Sequence, residues 1–142
     1  MQAARMNVTS LMSKNIISID MDDPIRKARD IFKAEEFHHL LVCDKRSLVG
    51  VISDRDLLKA ISPNVDTVAA TDKDLATLNK KAHQIMTRKP ISLNNSATMK
   101  DAIILFNENK ISCIPIIDEN HHPVGILSWR DIIKYIANKI EH

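Results

Sequence analysis

A mixed α/β fold, made of two copies of one strand-helix-strand-strand-helix unit, is predicted by three observations. The stretch Gly50-Val51-Ile52-Ser53-Asp54-Arg55-Asp56 returns as Gly125-Ile126-Leu127-Ser128-Trp129-Arg130-Asp131. A shift of about 74 residues also brings Met12-Ser13-Lys14 onto Met86-Thr87-Arg88, Ile17-Ser18-Ile19 onto Ile91-Ser92-Leu93, Ala28 onto Ala102 and Phe32 onto Phe106. In both copies short continuous apolar runs alternate with segments whose apolar residues are three and four apart, the marks of buried strands and of one-sided helices. A repeat of this length is two copies of one supersecondary unit. Neither copy is large enough to bury its own sheet, so the two are expected to pack on one another. The division is read as repeat 1 over 8–61, a partly helical linker over 62–84 and repeat 2 over 85–138.

Met1 to Leu11 reads as a short leader, and Met12 to Ile19 as a turn leading into a short strand. Pro24 suits the first turn of a helix, where its missing N–H is not needed, and Asp22 or Asp23 is a plausible cap. Ile25, Ala28, Ile31 and Phe32 then mark one buried stripe, and Glu35 to His38 ends the helix. Leu40-Leu41-Val42-Cys43 is a buried strand, Asp44 to Ser47 a polar turn, Leu48 to Ser53 the next strand and Arg55 to Ala60 the next helix. A helix between the first two strands implies a crossover. The short turn between the second and third implies a hairpin. In the linker, Ser62-Pro63-Asn64 stops the preceding helix. Thr71-Asp72-Lys73-Asp74 has capping-box spacing, and Leu75, Leu78 and Ala82 mark one face of a helix running to about Lys81. A linker this apolar is expected to pack on the body or on a partner chain.

Composition narrows the function. The chain has 142 residues, 44% of them hydrophobic, which supports a core and argues against disorder. A net charge of +2 and an aromatic content of 4% speak against a protein that lives on nucleic acid. The two cysteines, Cys43 and Cys113, fall in different repeats without a CxxC partner, so neither a disulfide framework nor a zinc site is expected. No apolar run reaches the length of a membrane span and Met1 to Thr9 lacks a signal-peptide core, so a cytoplasmic protein without a membrane partner is expected.

The repeated junction carries the chemistry. Glycine allows close approach of the backbone to a ligand. Ser53 and Ser128 stand where strand becomes helix, able to cap the helix or to donate to an anion there. Asp56 and Asp131 follow one helical turn on, and a carboxylate can accept both vicinal hydroxyls of a ribose. Arg55 and Arg130 can pair with phosphate oxygens. Strand residues such as Ile17 and Ile91 could sandwich a flat base. Serine followed three residues later by aspartate is equally a simple capping box, and duplication would copy a structural cap as faithfully as a binding site.

With these residues in place, the sequence resembles a tandem pair of CBS domains (cystathionine-β-synthase-type domains, whose paired form is called a Bateman module). The resemblance runs from about residue 8 to 138. It is carried by Met12 to Ile19 with Met86 to Leu93, Leu40 to Val42 with Ile114 to Ile116, and the two Gly-x-x-Ser-x-Arg-Asp stretches. It implies β-α-β-β-α units paired through their sheets with pseudo-two-fold symmetry, leaving two clefts for adenine-containing ligands: AMP, ADP, ATP or S-adenosylmethionine. Ribose recognition then falls on Asp56 and Asp131, the serine near ribose and phosphate on Ser53 and Ser128, and the basic residue on Arg55 and Arg130. The base meets backbone near Ile16, Ile17, Pro90 and Ile91. Ile114-Pro115-Ile116 fits the family's apolar-Pro-Val pattern, whereas the first copy has Leu41 in place of proline, with His38-His39 before it, so the two sites are expected to differ. The layout is similar to stand-alone bacterial CBS proteins of the acetoin-utilisation type. It implies a homodimer, a signal passed to an unidentified effector protein, no catalysis and no required cofactor.

Other features have plainer readings. Adjacent residues on a strand face opposite ways, so His38-His39 does not converge on a metal; His121-His122 lies in a turn. Cys43 and Cys113 read as small core residues, because no base completes a nucleophilic site. Trp129, in the place of Asp54, could stack on a base or cover the cleft. The alternative to ligand binding is a structural dimerisation or interaction module whose serines and aspartates are only caps. If one cleft is occupied, the second, around Ser128 and Asp131, is expected.

Overall fold

The computed structural model describes residues 2–35 and 37–141. The chain folds into two compact units: Ile17–Pro90, and Met1–Ile16 together with Ile91–His142. Each unit therefore takes the main body of one repeat and the lead-in segment of the other.

In the Ile17–Pro90 unit, β1 (Ser18–Asp20) lies parallel to β2 (His39–Asp44), with α1 (Ile25–Ala34) as the crossover. β2 pairs antiparallel with β3 (Ser47–Ser53), and the register shifts between Val42 and Cys43. The hairpin turn holds Lys45 and Arg46 at φ 48° and 75°, the pair of left-handed residues that a two-residue turn requires when it follows the twist of its strands. β3 runs straight into α2 (Asp54–Ala60). The linker forms a short helix α3 (Asp72–Ala76), a 3-10 turn (Thr77–Asn79), α4 (Ala82–Ile85), and β4 (Thr87–Arg88) against β3. Sheet order is β1-β2-β3-β4. Ile19, Ile25, Ala28, Leu40, Val42, Ile52, Leu57 and Ala60 form the core between sheet and helices, closed by Ala82 from α4.

Two details differ from the sequence expectation. The cap of α1 is Pro24, with no side-chain bond. The Asp23 carboxylate accepts the Asp20 N–H (2.8 Å) and the Lys27 ammonium (3.1 Å), which leaves it no role at the helix end. The linker helix starts at the expected Thr71–Asp74 capping box but does not run through to Lys81. Lys80 and Lys81 turn extended because their backbone is taken by the turn before α1: Ile25 N–H donates to Lys80 O (2.8 Å) and Ala82 N–H to Asp23 O (2.8 Å). Leu78 and Ala82 are buried, whereas Leu75 is 41% exposed. The end of α1 expected at Glu35 to His38 includes Glu36, which lies outside the described residues; the helix stops at Ala34.

The other unit repeats the plan. β5 (Leu93–Asn94), α5 (Met99–Glu108), β6 (Cys113–Ile117), β7 (Pro123–Ser128) and α6 (Trp129–Glu141) follow in order, with β5 parallel and β7 antiparallel to β6. The leader does for this unit what the linker does for the first. Val8 N–H donates to Ala97 O (2.9 Å), Met99 N–H donates to Met6 O (2.8 Å), and Ser13 exchanges two backbone bonds with Ile126. Val8, Met99, Ala102, Ile114, Ile116, Leu127 and Ile132 form its core. No helix among the described residues is long and apolar enough to cross a membrane.

Candidate functional site at the two strand-to-helix junctions

Strand pairing brings three chain segments to one sheet edge. In the Ile17–Pro90 unit, Ser18 pairs with Leu41 and His39 with Ser53, so Ile17, His39 and Ser53 stand at the same end. The Ile17 carbonyl accepts the Leu41 N–H (3.1 Å). In the other unit Leu93 pairs with Ile116 and Cys113 with Ser128, which sets Ile91 and Ser128 at the corresponding end.

The serines and aspartates close both junctions in the same way. Asp56 N–H donates to Ser53 Oγ (3.0 Å), and Ser53 N–H donates to Asp56 Oδ2 (2.9 Å). Asp131 N–H donates to Ser128 Oγ (3.2 Å), and Ser128 N–H donates to Asp131 Oδ2 (2.8 Å). These are reciprocal capping boxes, so the structural reading of the motif holds. It does not exhaust the groups. A carboxylate offers about four lone-pair sites, and the box uses one oxygen, leaving acceptor capacity on half-buried Asp56 and Asp131. Arg55 and Arg130 are exposed and, among the described residues, their guanidinium groups make no ion pair or hydrogen bond.

The glycines have a different role from the one expected of them. A Cβ on Gly50 would come within 2.7 Å of Met86 Cγ, and one on Gly125 within 2.8 Å of Met12 Cγ. Each glycine makes room for the methionine of the segment strapped across its strand, inside its own unit, so the demand for close approach comes from packing.

The junctions differ electrostatically. In the first, Asp54 opens α2, its carboxyl held below the usual range first by the hydrogen bond from His38 Nδ1 (3.2 Å). His39, opposite Ser53, is pushed toward its neutral form by burial, with Asp54 and Asp56 opposing. In the second, Trp129 takes the place of Asp54, opens α6 and is 54% exposed, so this junction carries one carboxylate fewer. The sequence already marked His38-His39 as a difference between the two sites; the strand register is what sets His39 opposite Ser53.

The remaining expected residues divide. Ile114 is fully buried and Pro115 almost so, which limits their side chains to shaping the sheet. Ile16 and Pro90 lie away from the junction of their own unit, because β4 sets Arg88 opposite Gly50 and Ser13 bridges Ile126. Each is bonded to a residue, Ile17 or Ile91, that enters the other unit at the junction edge. Burial raises the Cys43 thiol and pushes that of Cys113 up to about 12, so neither is a nucleophile at neutral pH.

The sequence model of the CBS domain matches residues 8–63 and again residues 82–138. The chain belongs to the CBS-domain family. This CBS pair is 25% identical to a CBS domain-containing protein of Dictyostelium discoideum, over 94% of this chain and 93% of that one. It is 29% identical to the MJ1232 protein of Methanocaldococcus jannaschii over 89% of this chain but only 38% of the relative's length. It thus spans well under half of that protein, as it does of MJ1404 from the same organism, where the match covers 43%. Among solved structures, CBSX2 in complex with AMP superimposes with a TM-score of 0.75 at 25% identity, covering 96% and 99% of the two chains. The CBS pair of MJ0100, in complex with 5′-methylthioadenosine and S-adenosyl-L-methionine, gives 0.75 at 27% identity, covering 94% and 98%. The acetoin utilization protein AcuB of Vibrio cholerae shares the fold, with a TM-score of 0.75 at 21% identity.

Proposed function

We propose that this CBS pair is a non-catalytic regulatory module that binds an adenine nucleotide (AMP, ADP, ATP or S-adenosylmethionine) and reports its occupancy to an effector protein. The observation that carries this reading is the repeated junction: a half-buried carboxylate anchored by a capping box, beside an arginine without a partner among the described residues. The anchored carboxylate is pre-aimed for a ribose diol, and the free guanidinium suits phosphate. The complexes of CBSX2 with AMP and of MJ0100 with S-adenosyl-L-methionine support the choice of ligand class.

The junction at Ser128 and Asp131 is the preferred site. It lacks the second carboxylate that Asp54 adds to the first junction, and an anionic ligand meets less repulsion there. Trp129 adds an exposed aromatic face. Signalling requires a ligand with unequal affinity for two conformations. A homodimer is the form in which the module is proposed to act.

The capping boxes favour a second reading, a structural interaction module without ligand. The two separate by mass spectrometry of small molecules released from the natively purified protein. An adenine compound in near-stoichiometric amount supports the first; release of none, together with no binding when nucleotides are added back, supports the second.

A further inference from the structure

The Ile17–Pro90 unit holds a cavity of about 620 Å³ between α1, α2 and the loop that follows α2. This size lies within the range of small-molecule pockets, about 300–1,000 Å³. Its apolar lining includes Phe32 from α1, Leu57 and Ile61 from α2, and Val65 from the loop, and Leu58, 79% exposed, belongs to the same wall. Arg29 and Lys33, one turn apart on α1, both reach into it, and Lys59 joins them from α2.

The charges in this cavity are unevenly used. The Arg29 side chain, 16% exposed, is ion-paired with Asp66, and Lys33 Nζ lies 3.9 Å from the other oxygen of the same carboxylate. Asp66 is itself 67% exposed, on a loop whose nearby bonds are the Val65 N–H to Ser62 O (3.3 Å) and Thr67 N–H to Asn64 O (3.0 Å) turns. The chain thus places a carboxylate of its own on a half-buried arginine, at the mouth of an apolar cavity. Lys59 forms no ion pair among the described residues. Three cations face two acids, Asp54 and Asp66, and Asp54 is held by His38. A single positive charge in excess matches a monoanion better than a multiply charged phosphate.

We infer that this cavity is a second ligand site, which takes a small amphipathic carboxylate. The apolar body of the ligand lies on Phe32, Leu57 and Ile61, and its carboxylate joins or displaces that of Asp66 on Arg29 and Lys33. This site does not depend on nucleotide binding at the junctions. It shares only Asp54 with the first junction.

The test is an amide NMR titration of the full chain with naphthalene-2-carboxylate and with its uncharged counterpart, 2-naphthamide. The carboxylate is expected to shift the amides of Arg29 to Lys33 and of Leu57 to Asp66 saturably, and to bind about tenfold more tightly than the amide. Lys33→Glu with Lys59→Glu, both at exposed positions, is expected to remove that preference while leaving amide binding unchanged. Equal binding of the two probes, shifts centred elsewhere, or no saturation at millimolar probe overturns the assignment. So does a dimer that Leu58→Glu converts to monomer and that admits neither probe until it dissociates, because the face then belongs to a second copy.

Discussion

Met86 occupies the space above Gly50 that a Cβ would fill, and Met12 stands in the same relation to Gly125. Each pair locks a lead-in segment onto the strand that feeds a strand-to-helix junction. Gly50→Ala is therefore expected to destabilise by about 1–3 kcal/mol through overpacking, although alanine otherwise suits a strand better than glycine. Met86→Ala costs stability by a different route, a lost thioether contact. The double variant should recover part of the sum, because truncating Met86 removes the clash that the new methyl creates. Urea denaturation of the four proteins measures the coupling, and strict additivity would show that the two residues do not compete for space.

A second expectation concerns pH. Burial lowers the His39 pKa, against the opposing pull of Asp54 and Asp56. The unfolded chain, with an ordinary imidazole, then takes up its proton first as the pH falls. Stability should decline as pH drops through about 6.5 and level off below the folded value. His39→Gln should flatten the urea-midpoint profile between about pH 7.5 and about pH 6, a range in which the carboxylates scarcely titrate. An unchanged slope would assign the effect to other groups.

Cys113 gives an independent check on the packing of β6. Its thiol is pushed up to about 12 by burial, and Cys43 is shifted the same way. Only the thiolate is alkylated. At about pH 8, iodoacetamide should label the native protein far more slowly than the urea-unfolded chain, whose thiols are near 8.5. Equal rates would mean that β6 opens readily.

The duplicated architecture was legible because its signals are local: alternating apolar runs, turn chemistry and the glycine-led motif all recur in register. Ser53 with Asp56 and Ser128 with Asp131 were legible as a capping pattern for the same reason, since a box is made by residues three apart. What the sequence did not reveal depends on distant partners. That the Asp23 carboxylate serves the turn rather than the helix cap depends on its bond from Asp20. The break of the linker helix at Lys80 depends on Ile25, far back in the chain. Gly50 and Gly125 invited a ligand-based reading because the methionines that require them lie tens of residues away or more. The approach of His39 to Ser53 is a matter of strand register, and Arg29 with Asp66 is a pairing across a helix and a loop.

The central claim, that Asp131 anchors the ribose of an adenine nucleotide, is tested most directly by isothermal titration. The ligands are AMP, ADP, ATP and S-adenosylmethionine, titrated into the native protein, Asp131→Ala and Asp56→Ala. Loss of either cap costs about 1 kcal/mol of stability, which melting curves report separately. The account predicts that at least one of the four ligands binds the native protein and that Asp131→Ala weakens it about tenfold or more, with a smaller effect from Asp56→Ala. Failure of all four to bind at millimolar concentration, or binding that Asp131→Ala leaves intact while the melting temperature falls, would contradict it and leave the two junctions as helix caps alone.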